Sequence, residues 1–235
     1  MNRETSNGIR FVIEDLLPPI LRDTNLFRLT ARAVWGKHVD DLARFRQRAP
    51  FLSKSEYEQL YLHHPRVHHD TDNSAACVKR IITETVGPDI CDVGCGTGFL
   101  LRAIRNATGQ PIGRQVGVDF VEPEGLETSG IEFVKAPIER LPFPDQSFDT
   151  VICTHVLEHI LEYREAIKEL RRICRTKLII VVPKEREGIY TFNPHFNFFP
   201  YRHSLLRAMT PIPERFSCEV IGRDIFYCET IPQVQ

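Results

Sequence analysis

Apolar positions in this chain keep a helical spacing at first and then switch back and forth between strand-like and helical runs. From Gly8 to Arg22, Ile9, Val12, Ile13, Leu16 and Leu17 recur at helical spacing, and Pro18-Pro19 is expected to break or re-aim that helix. Leu26 to Trp35 is a second apolar-rich stretch. Asp40 to Arg48 is a third, basic one, with Phe45 on one side and Arg44, Arg46 and Arg48 on a solvated face. Ser53 and Glu56 have the spacing of a capping box, which predicts a short helix through Tyr57, Leu60 and Tyr61. The next helix is predicted from about Ser74 to Val86, with Thr71, Asp72 and Asn73 as N-cap candidates and Gly87-Pro88 as its stop.

Beyond it the periods alternate. Ile90–Val93 is a short apolar strand, followed by a helix through Leu101, Ile104 and Ala107. Val116–Asp119, Ile131–Ala136 and Phe148–Cys153 read as three more strands, and Tyr163–Cys174 as a helix. Leu178–Val182 is a continuous aliphatic run, the pattern of a parallel strand covered on both faces. A short helix near His203–Met209 precedes a terminal hairpin, Ser217–Ile221 and Ile225–Thr230, joined by Gly222-Arg223-Asp224. This succession implies an α/β fold, an open and mostly parallel seven-stranded sheet with right-handed crossovers. Residues 121–130 and 137–147 are too short for full crossover helices, so irregular or 3₁₀ connections are expected there. The division read from the pattern is an N-terminal helical cap or lid, residues 1–73, and a core, residues 74–235.

Composition narrows the class. The 42% apolar and 26% charged residues are ordinary for a globular protein, and the net charge of −1 makes no global electrostatic case for nucleic acid or acidic membranes. No run approaches the roughly 18–20 apolar residues of a membrane span, and Met1–Arg10 has no apolar signal-like stretch. Seven cysteines without a CxxC or a paired framework read as reduced thiols of a cytoplasmic protein.

The chemistry centres on Asp92-Val93-Gly94-Cys95-Gly96-Thr97-Gly98. It is a strand end, a turn with glycine at every second position, and a helix start. Glycine tolerates φ > 0 and lets a ligand lie against the backbone, while the first N–H groups of the following helix lack intrahelical partners. Asp119 ends the next strand, where an acid can accept hydrogen bonds from both hydroxyls of a ribose. The spacing is GxGxG, not the GxGxxG of a dinucleotide fold, since Phe99 stands where the third glycine would fall, and no GKS or GKT follows for a phosphate-binding loop. The run His63-His64-Pro65-Arg66-Val67-His68-His69-Asp70 has neither zinc-finger nor HExxH spacing. It is read as a loop or lid over the cofactor, with no metal assigned.

With these motifs the chain resembles the class I S-adenosylmethionine-dependent methyltransferases, in particular their ubiquinone/menaquinone-like small-molecule branch. Asp92–Gly98 matches the family's first motif, and Val116-Gly117-Val118-Asp119 its second strand and ribose-binding acid. Leu141-Pro142-Phe143-Pro144-Asp145 resembles the approach to strand four, and His155-Val156-Leu157-Glu158-His159-Ile160 the segment after it. The resemblance covers about residues 74–183, plausibly extends to the hairpin, and hardly touches residues 1–70. It implies a Rossmann-like doubly wound fold and S-adenosylmethionine as cofactor. Asp92 and the backbone of Gly94, Cys95, Gly96 and Gly98 would face its methionine part, Asp119 its ribose and Phe120 its adenine. Where family members often carry Gly-Asp-Ala, this chain has Ala136-Pro137-Ile138, which leaves only the backbone of Pro137 and Ile138 for the adenine amino group. Thr154 and His155 would border the methyl group.

An acceptor proton calls for a base, and histidine is the natural one. His155, directly after strand four, is the first candidate. His159 belongs to the family's Leu-Glu-His pattern. His195 lies in Phe192-Asn193-Pro194-His195-Phe196-Asn197-Phe198-Phe199, a segment read as substrate-side, core or dimer contact. His155-x-x-Glu158-His159 also fits an HxxEH metalloprotease pattern, but that pattern needs both histidines on one helix. Some methyltransferases of quinone precursors and small-RNA ends hold a divalent ion with Glu-x-x-Glu-His here; His155 replaces the first Glu. The function expected is methylation, of oxygen by preference, of a small acceptor such as a quinone, a lipid or sugar intermediate, or a secondary metabolite. The expected partners are that acceptor and a second copy in a homodimer, with no nucleic acid and no membrane span. Two alternatives remain: an RNA-modifying methyltransferase using the basic run Lys168, Arg171, Arg172, Arg175 and Lys177, and a non-catalytic cofactor-binding protein with the N-terminal helices as partner surface.

Overall fold

The computed structural model of the chain describes residues 12, 16–35, 45–53, 55–57, 59, 70–108, 113–121, 130–190 and 193–232. The chain divides into two units, residues 1–69 with 185–200, and residues 70–184 with 201–235. The boundary therefore differs from a simple 1–73/74–235 division, because the segment after the fifth strand packs with the N-terminal residues.

The larger unit is built on one seven-stranded sheet. Its strands are β1 Ile90–Val93, β2 Gln115–Asp119, β3 Glu132–Lys135, β4 Phe148–Thr154, β5 Cys174–Pro183, β6 Phe216–Ile221 and β7 Asp224–Thr230, in the order β3-β2-β1-β4-β5-β7-β6. β1 to β5 are parallel neighbours; β7 runs antiparallel to both β5 and β6. The order reverses between β1 and β4, and such a switch point opens a crevice at the carboxyl ends of the strands. Residues 137–147 connect β3 to β4 without a helix, as their length predicts.

Helices cover both faces. In this unit, α4 (Ala75–Glu84) and α5 (Phe99–Thr108) place Cys77, Ile81, Leu101 and Ile104 in a buried cluster with Ile90, Ile152, Ile179, Val181 and Phe226. α6 (Tyr163–Ile173) buries Ala166, Ile167, Leu170 and Ile173, a spacing of three and four, and packs against β4 and β5. α7 is Arg202–Ala208. The cap of α4 is Ser74, whose hydroxyl accepts from the Cys77 N–H at 3.2 Å, rather than Thr71, Asp72 or Asn73.

β5 starts four residues before the aliphatic run. Its polar beginning is tolerated because the charges are paired: Arg175 with Asp149 at 2.7 Å and Lys177 with Glu84 at 3.0 Å. The other cations of the basic run are paired too. Arg171 meets Glu229, Lys168 meets Glu165, and Arg172 meets Glu169 and Asp145. Arg172 also donates to the carbonyls of Leu141 and Phe143, at 2.9 and 2.7 Å, and Glu169 accepts from the Leu141 N–H. The Leu-Pro-Phe segment is thus held by α6, and Phe143 meets Phe148 edge-on at 5.0 Å.

In the smaller unit, α1 is Pro19–Arg22, α2 is Asn25–Trp35, α3 is Phe45–Arg48, and a 3₁₀ turn covers Ala49–Phe51. Residues 17 and 18 interrupt the helical pattern, as the prolines predict, and Pro19 then begins α1, since the first helical position needs no N–H donor. The capping box forms: the Ser53 N–H donates to Glu56 at 2.8 Å and the Glu56 N–H to Ser53 Oγ at 3.3 Å. The Ser53 hydroxyl, which donates to Glu56 Oε2 at 2.6 Å, and the Ser53 N–H hold the Glu56 carboxyl below its ordinary value. Phe196 packs against Phe45 and Tyr57, with centroids 5.0 and 5.4 Å apart, and Phe199 is buried. Arg22 donates to the Glu187 carbonyl at 2.8 Å and Asp23 accepts from the Ile189 N–H at 3.1 Å, which ties residues 185–200 to this unit. The expected lid at residues 63–69, most of the expected first helix, Arg44, the Arg46 side chain and Phe192 lie outside the described residues.

The Glu229 carboxylate is almost wholly buried, is gripped by both Arg171 nitrogens at 2.7 Å and accepts from the Tyr227 hydroxyl at 2.5 Å. Removing the cation strands a buried charge. Arg171→Met is expected to cost about 3 kcal/mol in denaturant unfolding, and adding Glu229→Gln to it should recover part of that loss.

Candidate functional site

The turn after β1 lies at the switch point of the larger unit. Gly94, Gly96 and Gly98 all adopt left-handed φ, of 80°, 52° and 73°. A Cβ on Gly94 would stand 2.1 Å from Val156 Cγ2, so this glycine is required both by its conformation and by the segment after β4. The turn is tied to β2: the N–H groups of Gly94 and Cys95 both donate to the Val118 carbonyl, at 2.7 and 3.0 Å. α5 then begins at Phe99 and presents the partnerless first N–H groups of a helix at the turn.

Asp119, at the end of β2, has one carboxylate oxygen accepting from the Gly96 N–H at 2.9 Å and the other from the Phe120 N–H at 2.8 Å. The second oxygen also accepts from the Val121 N–H at 3.4 Å. The Ala136 N–H donates to the Asp119 carbonyl at 3.3 Å. That places Pro137, exposed, and Ile138, buried, just past β3 and next to the end of β2. Asp92 is buried near the end of β1, paired across to Gly117 of β2 and Ile152 of β4. The glycine turn, Asp92, Asp119, Phe120 and Thr154 therefore come to the carboxyl ends of three adjacent strands.

Two contacts were not legible in the motifs. Asn73, buried just before α4, donates from Nδ2 to the Thr154 hydroxyl at 2.9 Å and to the Thr71 hydroxyl at 3.1 Å. The Thr97 hydroxyl donates to the Asp70 carbonyl at 3.1 Å. Residues 70–73 thus strap the glycine turn to the end of β4. Only an N-cap-like cluster, Thr-Asp-Asn-Ser, hinted at a special role, and the capping itself went to Ser74.

His155 follows Thr154 with φ of 55°, unusual for a residue with a side chain, and its N–H is held by the Val181 carbonyl at 2.9 Å. Its ring stands between two carboxylates: Nδ1 is 3.5 Å from Glu158 and Nε2 is 3.7 Å from Asp224, both buried. Burial works against the charged imidazolium. The hydrogen bond and charge of Glu158, with Asp224 and Asp72, outweigh it and raise the pKa above the ordinary 6.5. His159 closes the 3₁₀ turn Leu157–His159, so HxxEH does not lie on one helix.

His195 belongs to the smaller unit. Its Nδ1 is 2.7 Å from Glu185, which also accepts from the Asn193 amide at 3.1 and 3.2 Å. The aromatic neighbours expected at a substrate face are partly core there, since Phe196 and Phe199 pack inward. All seven cysteines are free thiols, and burial pushes Cys91 and Cys153 well above the thiol range and Cys174 up to about 12. None of these three is an activated nucleophile.

A glycine turn, a helix N-terminus and a carboxylate at the end of the next strand fit a ligand with an amino-acid end and a ribose. Residues 91–182 match a family model described as a methyltransferase domain. The chain is 30% identical over 105 residues to the demethylmenaquinone methyltransferase of Bacillus cereus, a match covering 41% of this chain and 44% of that one. It is 29% identical over 93 residues to an uncharacterized methyltransferase, YcgJ, of Bacillus subtilis, covering 37% of this chain and 36% of the relative. The match thus spans less than half the length of these curated relatives. A solved S-adenosylmethionine-dependent methyltransferase from Aquifex aeolicus superposes with a TM-score of 0.53 at 20% identity, over 77% of this chain and all of that one, and shares its fold.

Two outcomes are expected from this geometry. Gly94→Ala should destabilise the chain by about 2 kcal/mol or more, through the left-handed backbone and the clash with Val156. Val156→Ala in the same chain should relieve the clash but not the backbone term, as read by denaturant unfolding. Because the His155 pKa is raised on folding, its stabilising contribution is full below pH 6.5 and is lost as pH rises through the folded value. Glu158→Gln should move the His155 titration, followed by NMR, downward and bring that loss to lower pH.

Proposed function

We propose that this chain, whose residues 91–182 match a methyltransferase-domain model, is a class I S-adenosylmethionine-dependent methyltransferase that methylates a small, partly apolar acceptor. The observation that carries the reading is the glycine turn locked to Asp119 through the Gly96 N–H. The turn backbone and Asp92 would hold the amino-acid end of the cofactor, Asp119 the ribose, and Phe120 with the backbone of Pro137 and Ile138 the adenine. When bound, S-adenosylmethionine supplies a methyl group on a sulfonium.

The acceptor class we favour is a quinone-like aromatic with a reacting hydroxyl oxygen. A relative's name points to quinone substrates, and the internal pairing of the basic run with Glu229, Glu169, Asp145, Asp149, Glu84 and Glu165 weakens the case for RNA. Such a hydroxyl must lose its proton. Of the candidates, His155 is favoured as a cation by its flanking carboxylates, which suits holding the end of β4 in place rather than taking a proton. His195, a candidate by residue type, has its ring oriented by Glu185 on Nδ1. His159 is assigned no proton transfer. No metal is assigned; turnover lost on chelation and restored by a divalent ion would overturn that. The free thiols support a reducing compartment such as the cytoplasm.

Calorimetry with S-adenosylhomocysteine tests the cofactor site. Asp119→Ala should weaken binding about tenfold or more, the loss of hydrogen bonds to a charged group; unchanged affinity in a variant that still unfolds cooperatively would refute the role of Asp119. Incubation with a panel of quinols and catechols, with mass spectrometry locating the methyl, tests the reaction. His195→Gln should lower kcat about 10²-fold or more. Binding without transfer to any acceptor favours the non-catalytic alternative.

A further inference from the structure

The crevice of the larger unit lies between the glycine turn after β1 and the end of β4, and these belong to neighbouring strands. Val93, just before the turn, is paired with Cys153, just before Thr154. The strand order reverses between the two strands, so whatever fixes their ends relative to each other also shapes the site. Residues 70–73 connect those ends from outside the sheet.

Asn73 is 3% exposed. Its Nδ2 donates to the Thr154 hydroxyl at 2.9 Å and to the Thr71 hydroxyl at 3.1 Å, and its N–H donates to the same Thr71 oxygen at 3.1 Å. The two bonds to Thr71 stiffen the strap on itself. The strap runs directly into α4, which is capped by Ser74 and held in the core by Cys77 and Ile81. At its other end the Asp70 carbonyl accepts from the Thr97 hydroxyl at 3.1 Å. Thr97 stands between Gly96 and Gly98, both in left-handed backbone, so its side chain is the one by which this part of the turn can be held. The Thr97 carbonyl in turn accepts from Arg102 Nη1 at 2.8 Å, which ties the same residue to α5. Asp72, between the two anchors, adds its charge to the surroundings of His155, the residue after Thr154.

β1 and β4 are already hydrogen-bonded neighbours, so the sheet itself does not need this bridge. A methyl donor held between the turn and the end of β4 does need it, because a misplacement of about 1 Å at a reacting centre can cost about 10²-fold in rate. We propose that Asn73 is a positioning residue of the methyl-transfer site, acting on one side of the cofactor through Thr154 and on the other through the strap and Thr97. This role rests on the cofactor reading given above.

The chain without ligand gives the first readout. The N–H groups of Cys95, Gly96 and Gly98 are all bonded within the protein. Their hydrogen exchange should accelerate about tenfold in Asn73→Ala and in Thr154→Val, the loss of about one hydrogen bond, although both changes lie at the β4 end of the strap. Thr154→Ser keeps the hydroxyl and should exchange like the parent. Calorimetry with S-adenosylhomocysteine gives the second readout. Asn73→Ala should bind about tenfold more weakly, and Asn73→Ala with Thr154→Val no more weakly than either change alone, since both break one bridge. A purely structural role would lower the denaturant midpoint and leave both readouts at parent values. The proposal is overturned if a cooperatively folded Asn73→Ala keeps the parent's exchange at the turn or the parent's affinity, or if the two losses of affinity add in full. Should Asn73→Ala fail to fold, Thr154→Val against Thr154→Ser decides by the same two readouts. A parent chain that does not bind S-adenosylhomocysteine refutes the cofactor reading and this role with it; a parent that binds, with variants that bind equally, refutes the positioning role alone.

Discussion

One carboxylate holds the site together. Asp119 reaches across from the end of β2 to the Gly96 N–H and back to its own successor at Phe120, while the Val118 carbonyl takes two further N–H groups of the turn. The turn has no side chains to pack with at three of its positions, so its shape depends on these bonds and on the Val156 methyl pressed against Gly94. The same carboxylate is the group that suits a ribose. Structure and ligand recognition are therefore coupled at this residue, and any change to it must be judged on folding and on binding separately.

A second theme is how the larger unit disposes of its charges. Cations that read as a nucleic-acid-binding run turn out to be spent on fold. Arg172 ties a proline-rich connection to α6, Arg171 neutralises a carboxylate inside the sheet, and Arg175 and Lys177 let β5 begin in polar sequence. A charge that is bonded to an acid and to carbonyls has little left to offer a phosphate backbone.

The two histidines paired with carboxylates differ in kind. His155 has an acid at each ring nitrogen and a constrained backbone, an arrangement that stabilises charge and position. His195 meets the Glu185 carboxylate, itself steadied by Asn193, an arrangement that orients a ring. Position after strand four made His155 the first candidate by sequence; the surroundings of the two rings set them apart.

What the chain's sequence determined by itself was local or periodic. The GxGxG turn, the acid at 119, the seven strand-like runs and the Ser53–Glu56 capping box could be read because each rests on neighbouring residues and on a steric or hydrogen-bonding rule that acts within a few positions. Contacts between distant segments had no such signature. Asn73 and Asp70 strapping the site, Arg171 with Glu229, the two acids on His155, and the pairing of residues 185–200 with the N-terminal unit are all set by which elements the sheet order brings together. Pro18-Pro19 belongs with the local signals: a proline cannot continue a helix but can open one, and the chain breaks at residues 17 and 18 and begins α1 at Pro19.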